Sequence, residues 1–378
     1  MEILSKNNKK LKIVILANQD SILYATKYEL ILKLSEAGFD VVLSVPAGGY
    51  VPQFMAAGCR VVDTPVDRRG VNPIKDWQLL RFYRTLLKRE QPDLVLTFTI
   101  KPNIYGGWVA RTLGISCIAT ITGLGTAVEN RGPLRSLALF LYRHGLSRDV
   151  RVFFQNDANR ETLQRCCATR KEQVIMVPGS GVNLTHFSFV PFPENNATTR
   201  LLWVARLMKD KGIEEFLTAI DQIGTEHTDV VFDILGEYEE RYEETVLRLM
   251  REGKIIYHGF QKDVRPFLAR CSAIVLPSYH EGTANVLLEA AATGRPILAS
   301  RVSGCSETFI EGKSGLGFAP RSTEALLNVL REFLSLPIET RRTMGLTGRK
   351  LMESRFDRNQ VTNIYYDTIC DVLDCKNT

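Results

Sequence analysis

Two glutamates, Glu281 and Glu289, stand eight positions apart in YHEGTANVLLEA (279–290), directly after the apolar run AIVLPS (273–278). Carboxylates so spaced can be structural charges, an acid and base for hydrolysis, or two contacts on one ligand. AIVLPS reads as a strand, and a helix is predicted from near Ala284 to Gly294, whose glycine suits a C-terminal cap. Gly282 and Thr283 then lie at a helix N-terminus, where free N–H groups and the dipole favour an anion. Were all eight residues helical, the carboxylates would lie roughly 12 Å apart at about 1.5 Å per residue. A glycosidase pair sits roughly 5–9.5 Å apart, so the spacing argues against hydrolysis. It suits two hydroxyl-bearing groups separated by a diphosphate, and equally a helix-terminal carboxylate with a satisfied interior one.

The second candidate is WVARLMKDKGIEEFLTAI (203–220). A strand leads into Arg206, then a turn carries Lys209, Lys211 and Gly212 ahead of an amphipathic helix. Arg presents a planar fork to phosphate oxygens and Lys a compact charge. By itself the cluster also fits a solvated basic turn. Taken together, the two clusters sit at strand-to-helix turns of one half of the chain. One offers cations for a diphosphate, the other carboxylates for sugar hydroxyls.

Elements of two kinds must position them. KIVILA (12–17), DVVLSV (40–45), LVLTFT (94–99), CIATIT (117–122) and VRVFFQ (150–155) read as strands in the first half. TRLLWVA (199–205), VVFDILG (230–236), KIIYHG (254–259), AIVLPS and RPILAS (295–300) do so in the second. Amphipathic segments such as ATKYELILKLSEAG and DWQLLRFYRTLLKRE separate them, the mark of parallel sheets covered on both faces. The expected fold is α/β: two doubly wound Rossmann-like domains facing a cleft, with C-terminal helices crossing back. The domains are placed at 1–182 and 183–355, with 356–378 packing back on the first. The boundary lies in PGSGVNLTHFSFVPFPENNAT (178–198), rich in Pro, Gly and Asn.

The 378 residues exceed what one core usually serves, and 45% apolar with 24% charged content excludes a disordered or fibrous chain. No apolar run is long enough for a spanning helix, and MEILSKNNKKLKIVIL lacks the form of a secretory signal, so the cytosol is expected. Eight cysteines (59, 117, 166, 167, 271, 305, 370, 375) form no CxxC and no metal-ligand spacing, which fits a reduced compartment. Asn183 and Asn196 head Asn-x-Thr triplets that would carry no glycan there. The net charge of +6 is uneven: residues 1–190 hold 25 Lys and Arg against 15 Asp and Glu, so the basic half should face phosphate, nucleic acid or a membrane surface. TGLGTA (122–127) has too few glycines for a dinucleotide loop, and the histidines (144, 186, 227, 258, 280) show no HExxH. His280 reads as a neighbour of Glu281 or a surface residue.

The combination of Glu281-x7-Glu289 with Arg206-x4-Lys211-Gly212 resembles the retaining glycosyltransferases of the two-Rossmann-domain (GT-B) type, family 4. VPGSGVNLTHF and SGCSETFIEGKSGLGF (303–318) extend the resemblance over nearly the whole chain. KPNIYG (101–106), TGLGT, FFQN (153–156) and DVRPFLARC (263–271) look like the branch making bacterial capsular and lipid-linked oligosaccharides. That branch includes N-acetylgalactosaminyltransferases acting on undecaprenyl-diphosphate sugars.

The resemblance implies that Arg206 and Lys211 hold the donor diphosphate, Glu281 contacts the transferred sugar and Glu289 the ribose. The amides of Gly282, Thr283, Ala284 and Asn285 lie near sugar and phosphate. EGTANV replaces the usual EGFGLV, so the family's contacts to the sugar's lower edge do not carry over. The first strand ends in ANQDS rather than a double-glycine loop, leaving Asn18 and Gln19 as acceptor or diphosphate contacts; Lys101 and Asn103 are further candidates. Many members carry a histidine after the fourth strand, where this chain reads ITGLGT, with Thr122 or Gly123 in its place. The expected activity is retaining hexosyl transfer from a UDP-sugar to an undecaprenyl-diphosphate-linked saccharide, with N-acetylgalactosamine the leading donor sugar. UDP-Gal, UDP-Glc and UDP-GlcNAc remain open, as do a nucleotide-sugar epimerase and a non-catalytic scaffold. No cofactor or obligate metal is expected, and no Asp-x-Asp motif is present.

Two basic amphipathic segments belong to the first half. In 131–151, Leu134, Leu137 and Leu141 share a helical face amid Arg131, Arg135, Arg143 and Arg148; 76–90 carries Trp77, Phe82 and Tyr83. Either their apolar faces cover the sheet, or the segments lie on the inner face of the cytoplasmic membrane with the protein peripheral to it. Nucleic acid is not expected as a partner.

Overall fold

The computed structural model describes residues 10–66, 72–125, 128, 132–146, 150–166, 168–194 and 198–374. It divides into two compact units, Met1–Ser180 with Arg358–Thr378, and Gly181–Asp357.

In the first unit the chain runs β1 (Lys12–Leu16), α1 (Asp20–Glu36), β2 (Asp40–Val45), α2 (Val51–Ala56), β3 (Arg60–Asp63), α3 (Pro73–Glu90) and β4 (Leu94–Phe98). A π-helical turn (Pro102–Gly106) continues into α4 (Gly107–Thr112), followed by β5 (Ser116–Ile121), α5 (Pro133–Gly145), β6 (Val150–Phe154), α6 (Asp157–Arg165) and β7 (Val174–Met176). The strands pair in parallel in the order β3-β2-β1-β4-β5-β6-β7, with Ile13 opposite both Val41 and Leu94. Alternate residues of β1 serve two cores: Ile13 and Ile15 on one face, Val14 and Leu16 on the other. This is why the strands read as unbroken apolar runs.

The second unit carries β8 (Thr199–Val204), α7 (Ile213–Glu226), β9 (Val230–Leu235), α8 (Glu243–Arg251), β10 (Ile255–Tyr257), α9 (Arg265–Arg270) and β11 (Ala273–Leu276). It continues with α10 (Asn285–Ala292), β12 (Ile297–Ser300), β13 (Gly315–Phe318), α11 (Thr323–Ser335) and α12 (Ile338–Arg355). Its sheet is also parallel, in the order β10-β9-β8-β11-β12-β13. The last helix, α13 (Arg358–Val372), returns to the first unit, where Val361, Tyr365, Tyr366 and Ile369 join α1 in one core. Tyr365 stacks on Phe153 at 4.0 Å. Each such buried side chain contributes roughly 1.5–3 kcal/mol.

Three strands escape the sequence pattern. β3 and β7 are short edge strands with one neighbour each, and β13 is the glycine-rich GLGF. With β3 counted, ITGLGT follows the fifth strand. The place after the fourth belongs to Thr99, Ile100 and Lys101 instead.

Candidate active site

In each sheet the strand order reverses once, between β1 and β4 and between β8 and β11. The carboxyl ends of the strands at such a point frame a ligand crevice. In the second unit both charged clusters lie there. Beyond β8, the Leu207 N–H donates to the Glu237 carbonyl at 2.9 Å and the Glu239 N–H to the Leu207 carbonyl at 3.1 Å. This lays Arg206 Nη1 3.1 Å from Glu239 Oε2. The next turn ends at Gly212, whose backbone is left-handed (φ 75) and whose Cβ, if present, would sit 2.1 Å from the Pro277 carbonyl oxygen. Only glycine lets the turn press on the exit of β11. The Asp210 carbonyl accepts the Tyr279 N–H at 2.9 Å and the Ser278 hydroxyl at 3.3 Å. Lys211 Nζ then meets Glu281 Oε1 at 2.5 Å, with the two side chains 20% and 15% exposed.

Helix α10 begins at Asn285, so only the last four of the eight steps from Glu281 to Glu289 are helical. A rise of roughly 12 Å does not apply. Glu289 stands about 6 Å of axial rise beyond Asn285, half-buried, its carbonyl accepting the Thr293 hydroxyl. Gly282 and Ala284 are buried, Thr283 and Asn285 half-buried. The Ala284 N–H donates to the Gly304 carbonyl at 2.8 Å, and Glu307 accepts from the Ser303 hydroxyl (3.0 Å) and the Gly304 N–H (2.7 Å). Asn285 Oδ1 is buried with no hydrogen-bond partner, an acceptor that wants a donor. Beside this pair lies Cys305. Burial, then the Glu281 charge, pushes its thiol well above the usual range, which leaves it a poor nucleophile. His280 is half-buried, with Nε2 3.9 Å from Asp210 Oδ2.

In the first unit, Asn18 and Gln19 follow β1, and their Oδ1 and Oε1 atoms are buried without partners. Lys101 Nζ donates to Asp76 Oδ1 at 2.7 Å, and the Tyr105 hydroxyl to Asp76 Oδ2 at 3.0 Å. Asn103 is buried and donates to the Thr120 carbonyl at 2.8 Å, so it braces β5. Thr122 and Gly123 follow β5, half-buried. Among the described residues no three His, Cys, Asp or Glu side chains gather as a metal requires.

Residues 187–351 match the family model of the group 1 glycosyl transferases, and 25–179 that of a glycosyl transferase 4-like domain. The chain is a group 1 glycosyltransferase. An N,N'-diacetylbacillosaminyl-diphospho-undecaprenol alpha-1,3-N-acetylgalactosaminyltransferase of Campylobacter jejuni is 23% identical, over 95% of this chain and 99% of that one. A UDP-Gal:alpha-D-GlcNAc-diphosphoundecaprenol alpha-1,3-galactosyltransferase of Escherichia coli is 24% identical, over 70% and 72%. Anabaena HepE in complex with UDP-glucose shares the fold with a TM-score of 0.76 at 15% identity, covering 96% of this chain and 100% of that one. The two parallel Rossmann-like sheets are those of the GT-B glycosyltransferases.

In this glycosyltransferase the site residues named from the sequence left out Glu239, which faces Arg206, and Asp210 and Glu307, which brace the loops, although Asp210 and Glu307 lie within the quoted stretches. The acidic run GEYEE (236–240) after a predicted strand was a usable signal for Glu239, but only the sheet order makes β9 a neighbour of β8. The basic segments also differ from expectation. Leu141 turns to the core while Leu134, Leu137 and Phe140 are exposed; Arg131 and Arg148 lie outside the described residues. On α3, Tyr83 is buried, whereas Ile74 and Trp77 are exposed with the Arg81 guanidinium 4.6 Å from the Trp77 ring. No helix among the described residues is long and apolar enough to cross a membrane.

Proposed function

We propose that this glycosyltransferase moves a sugar, with retention at the anomeric carbon, from a UDP-sugar to an undecaprenyl-diphosphate-linked saccharide in bacterial surface-glycan assembly. The observation that carries this reading is the Lys211–Glu281 pair, with Arg206 on the adjoining loop, at the carboxyl ends of β8 and β11. N-acetylgalactosamine is the donor sugar we favour, because the Campylobacter relative that matches nearly end to end is named for it. Arg206 and Lys211 hold the diphosphate, Glu281 the transferred sugar and Glu289 the ribose. The Gly282, Thr283 and Asn285 amides meet phosphate oxygens, the Ala284 amide being taken up by the Gly304 carbonyl, and the unpartnered Asn285 Oδ1 accepts from a sugar hydroxyl.

In the step itself, an acceptor hydroxyl forms the new C1–O bond on the face from which the C1–O(phosphate) bond breaks. The departing UDP takes the hydroxyl proton. Charge grows on the diphosphate, and two fixed cations stabilise it without a metal. Exposed Leu134, Leu137, Phe140, Ile74 and Trp77 beside basic residues support docking on the cytoplasmic membrane face, where the lipid-linked acceptor resides.

A panel of UDP-sugars, assayed with and without lipid-linked acceptor, tests the reading. The expected result is acceptor-dependent transfer, retained stereochemistry by NMR, and activity that survives EDTA. Conversion of the donor without acceptor would point to an epimerase. UDP bound away from Arg206 and Lys211 in a soaked crystal would overturn the site.

A further inference from the structure

Tyr279 sits two residues before Glu281, and three contacts hold it. Its hydroxyl lies 2.7 and 2.9 Å from the two carboxylate oxygens of Glu215, in the first turn of α7. The Arg321 guanidinium, from the loop after β13, stands 4.7 Å from its ring centroid. Arg321 has a left-handed backbone (φ 59), a conformation that a non-glycine residue holds only where its surroundings impose it. The Tyr279 N–H donates to the Asp210 carbonyl, one residue from Lys211. Tyr279 therefore ties together the segments after β8, β11 and β13, and both members of the Lys211–Glu281 pair ride on them.

The neighbouring charges are already engaged. Glu214 faces Lys209 at 3.3 Å and the Tyr242 hydroxyl at 3.3 Å. With Glu215 taken up by the phenol, the carboxylate that meets Lys211 is Glu281. Burial, then the Glu215 charge, keeps the phenol protonated far above neutral pH, so it remains a donor.

We infer that Tyr279 is a positioning residue for sugar transfer. Gripped by Glu215 and Arg321, it sets the exit of β11 so that Glu281 meets both Lys211 and the transferred sugar. This rests on the donor reading above. UDP lacks the sugar, so a displaced Glu281 should slow transfer while leaving UDP affinity intact.

The test measures UDP affinity by calorimetry, and kcat and KM for the donor that turns over, in the full-length chain. Tyr279→Phe and Glu215→Ala should each lower kcat about tenfold, the scale of a small misplacement of reacting groups, with the UDP Kd within about twofold. The double variant should be no slower than the slower single one, because both remove the same link. Glu215→Gln, which keeps an acceptor for the phenol, should restore most of kcat. Wild-type kcat in Tyr279→Phe, multiplicative losses in the double variant, or a loss of UDP affinity equal to the loss of kcat would each overturn the inference. Failure of the wild-type chain to bind UDP would instead remove the donor reading on which it stands.

Discussion

Arg206 and Lys211 each face a carboxylate, Glu239 and Glu281, in loops that backbone hydrogen bonds already fix. Neither cation lies in a hydrophobic core, so its removal should affect chemistry more than folding. Arg206→Ala and Lys211→Ala are expected to lower turnover about 100-fold or more, as loss of one preorganised charge does, with an unchanged melting temperature. Full turnover in either variant would withdraw its assignment to the diphosphate. A different residue reports on stability. Lys27 on α1 is buried, 4.4 Å from the Tyr365 ring, and its pKa falls from 10.5 to about 7 through burial and the nearby Arg358 charge, opposed by Glu29. Between these two values the unfolded chain holds a proton that the folded chain lacks, so stability rises with pH across that window. Below about pH 7 the cost of the buried charge is fully present; above 10.5 it is absent. Urea midpoints of the wild type should therefore climb from pH 7 to about 8.5, below the range where unfolded thiols ionise and the buried cysteines oppose the rise. Lys27→Met should be more stable at pH 7 and flatten the climb. Parallel profiles for the two proteins would show that Lys27 does not carry the effect.

Loops, more than strands, decide the site at the next scale. Gly304 has φ 87, and a Cβ there would stand 2.6 Å from the Glu281 carbonyl oxygen. Gly304→Ala thus meets both an unfavourable backbone region and a backbone atom that cannot yield. A destabilisation of roughly 1–3 kcal/mol is expected, together with lost turnover as Glu281 moves. Gly253→Ala provides the control: it shares a positive φ of 71, but its added Cβ has no atom within 4 Å. It should lose stability through backbone strain alone and keep its kcat. Urea titration with a turnover assay on both variants separates the two effects, and equal activity in both would mean that the 303–307 loop does not position Glu281.

At the scale of the whole molecule, the charge of +10 on residues 1–190 offsets −4 on the remainder. The exposed apolar residues of α3 and α5 belong to the basic part. Binding to phosphatidylglycerol vesicles should be measurable at low salt and weaken as salt screens the charges. Phe140→Glu and Trp77→Glu should reduce it further while turnover on a soluble acceptor analogue persists. Sedimentation with vesicles tests this; absence of binding at low ionic strength would remove the membrane-docking proposal.

Much was legible in the chain itself. Apolar strands alternating with amphipathic helices determined two parallel α/β sheets, because strands buried on both faces need an unbroken apolar run and each crossover needs a helix. Arg206, Lys211, Gly212, Glu281 and Glu289 stood out by type and spacing, since a charged side chain just past an apolar strand marks the strand's end. Tertiary structure alone decided which strands are neighbours, and hence that the turn after β8 lies along the exit of β11. It alone seated Glu239 against Arg206 and Tyr279 between Glu215 and Arg321, turned Leu141 inward, and revealed the short strands β3, β7 and β13. The physical reason is range. Periodicity reports the burial of residues near one another in sequence, whereas these partners lie from 33 (Arg206 and Glu239) to 64 (Glu215 and Tyr279) residues apart and meet only because the sheet orders its strands by packing.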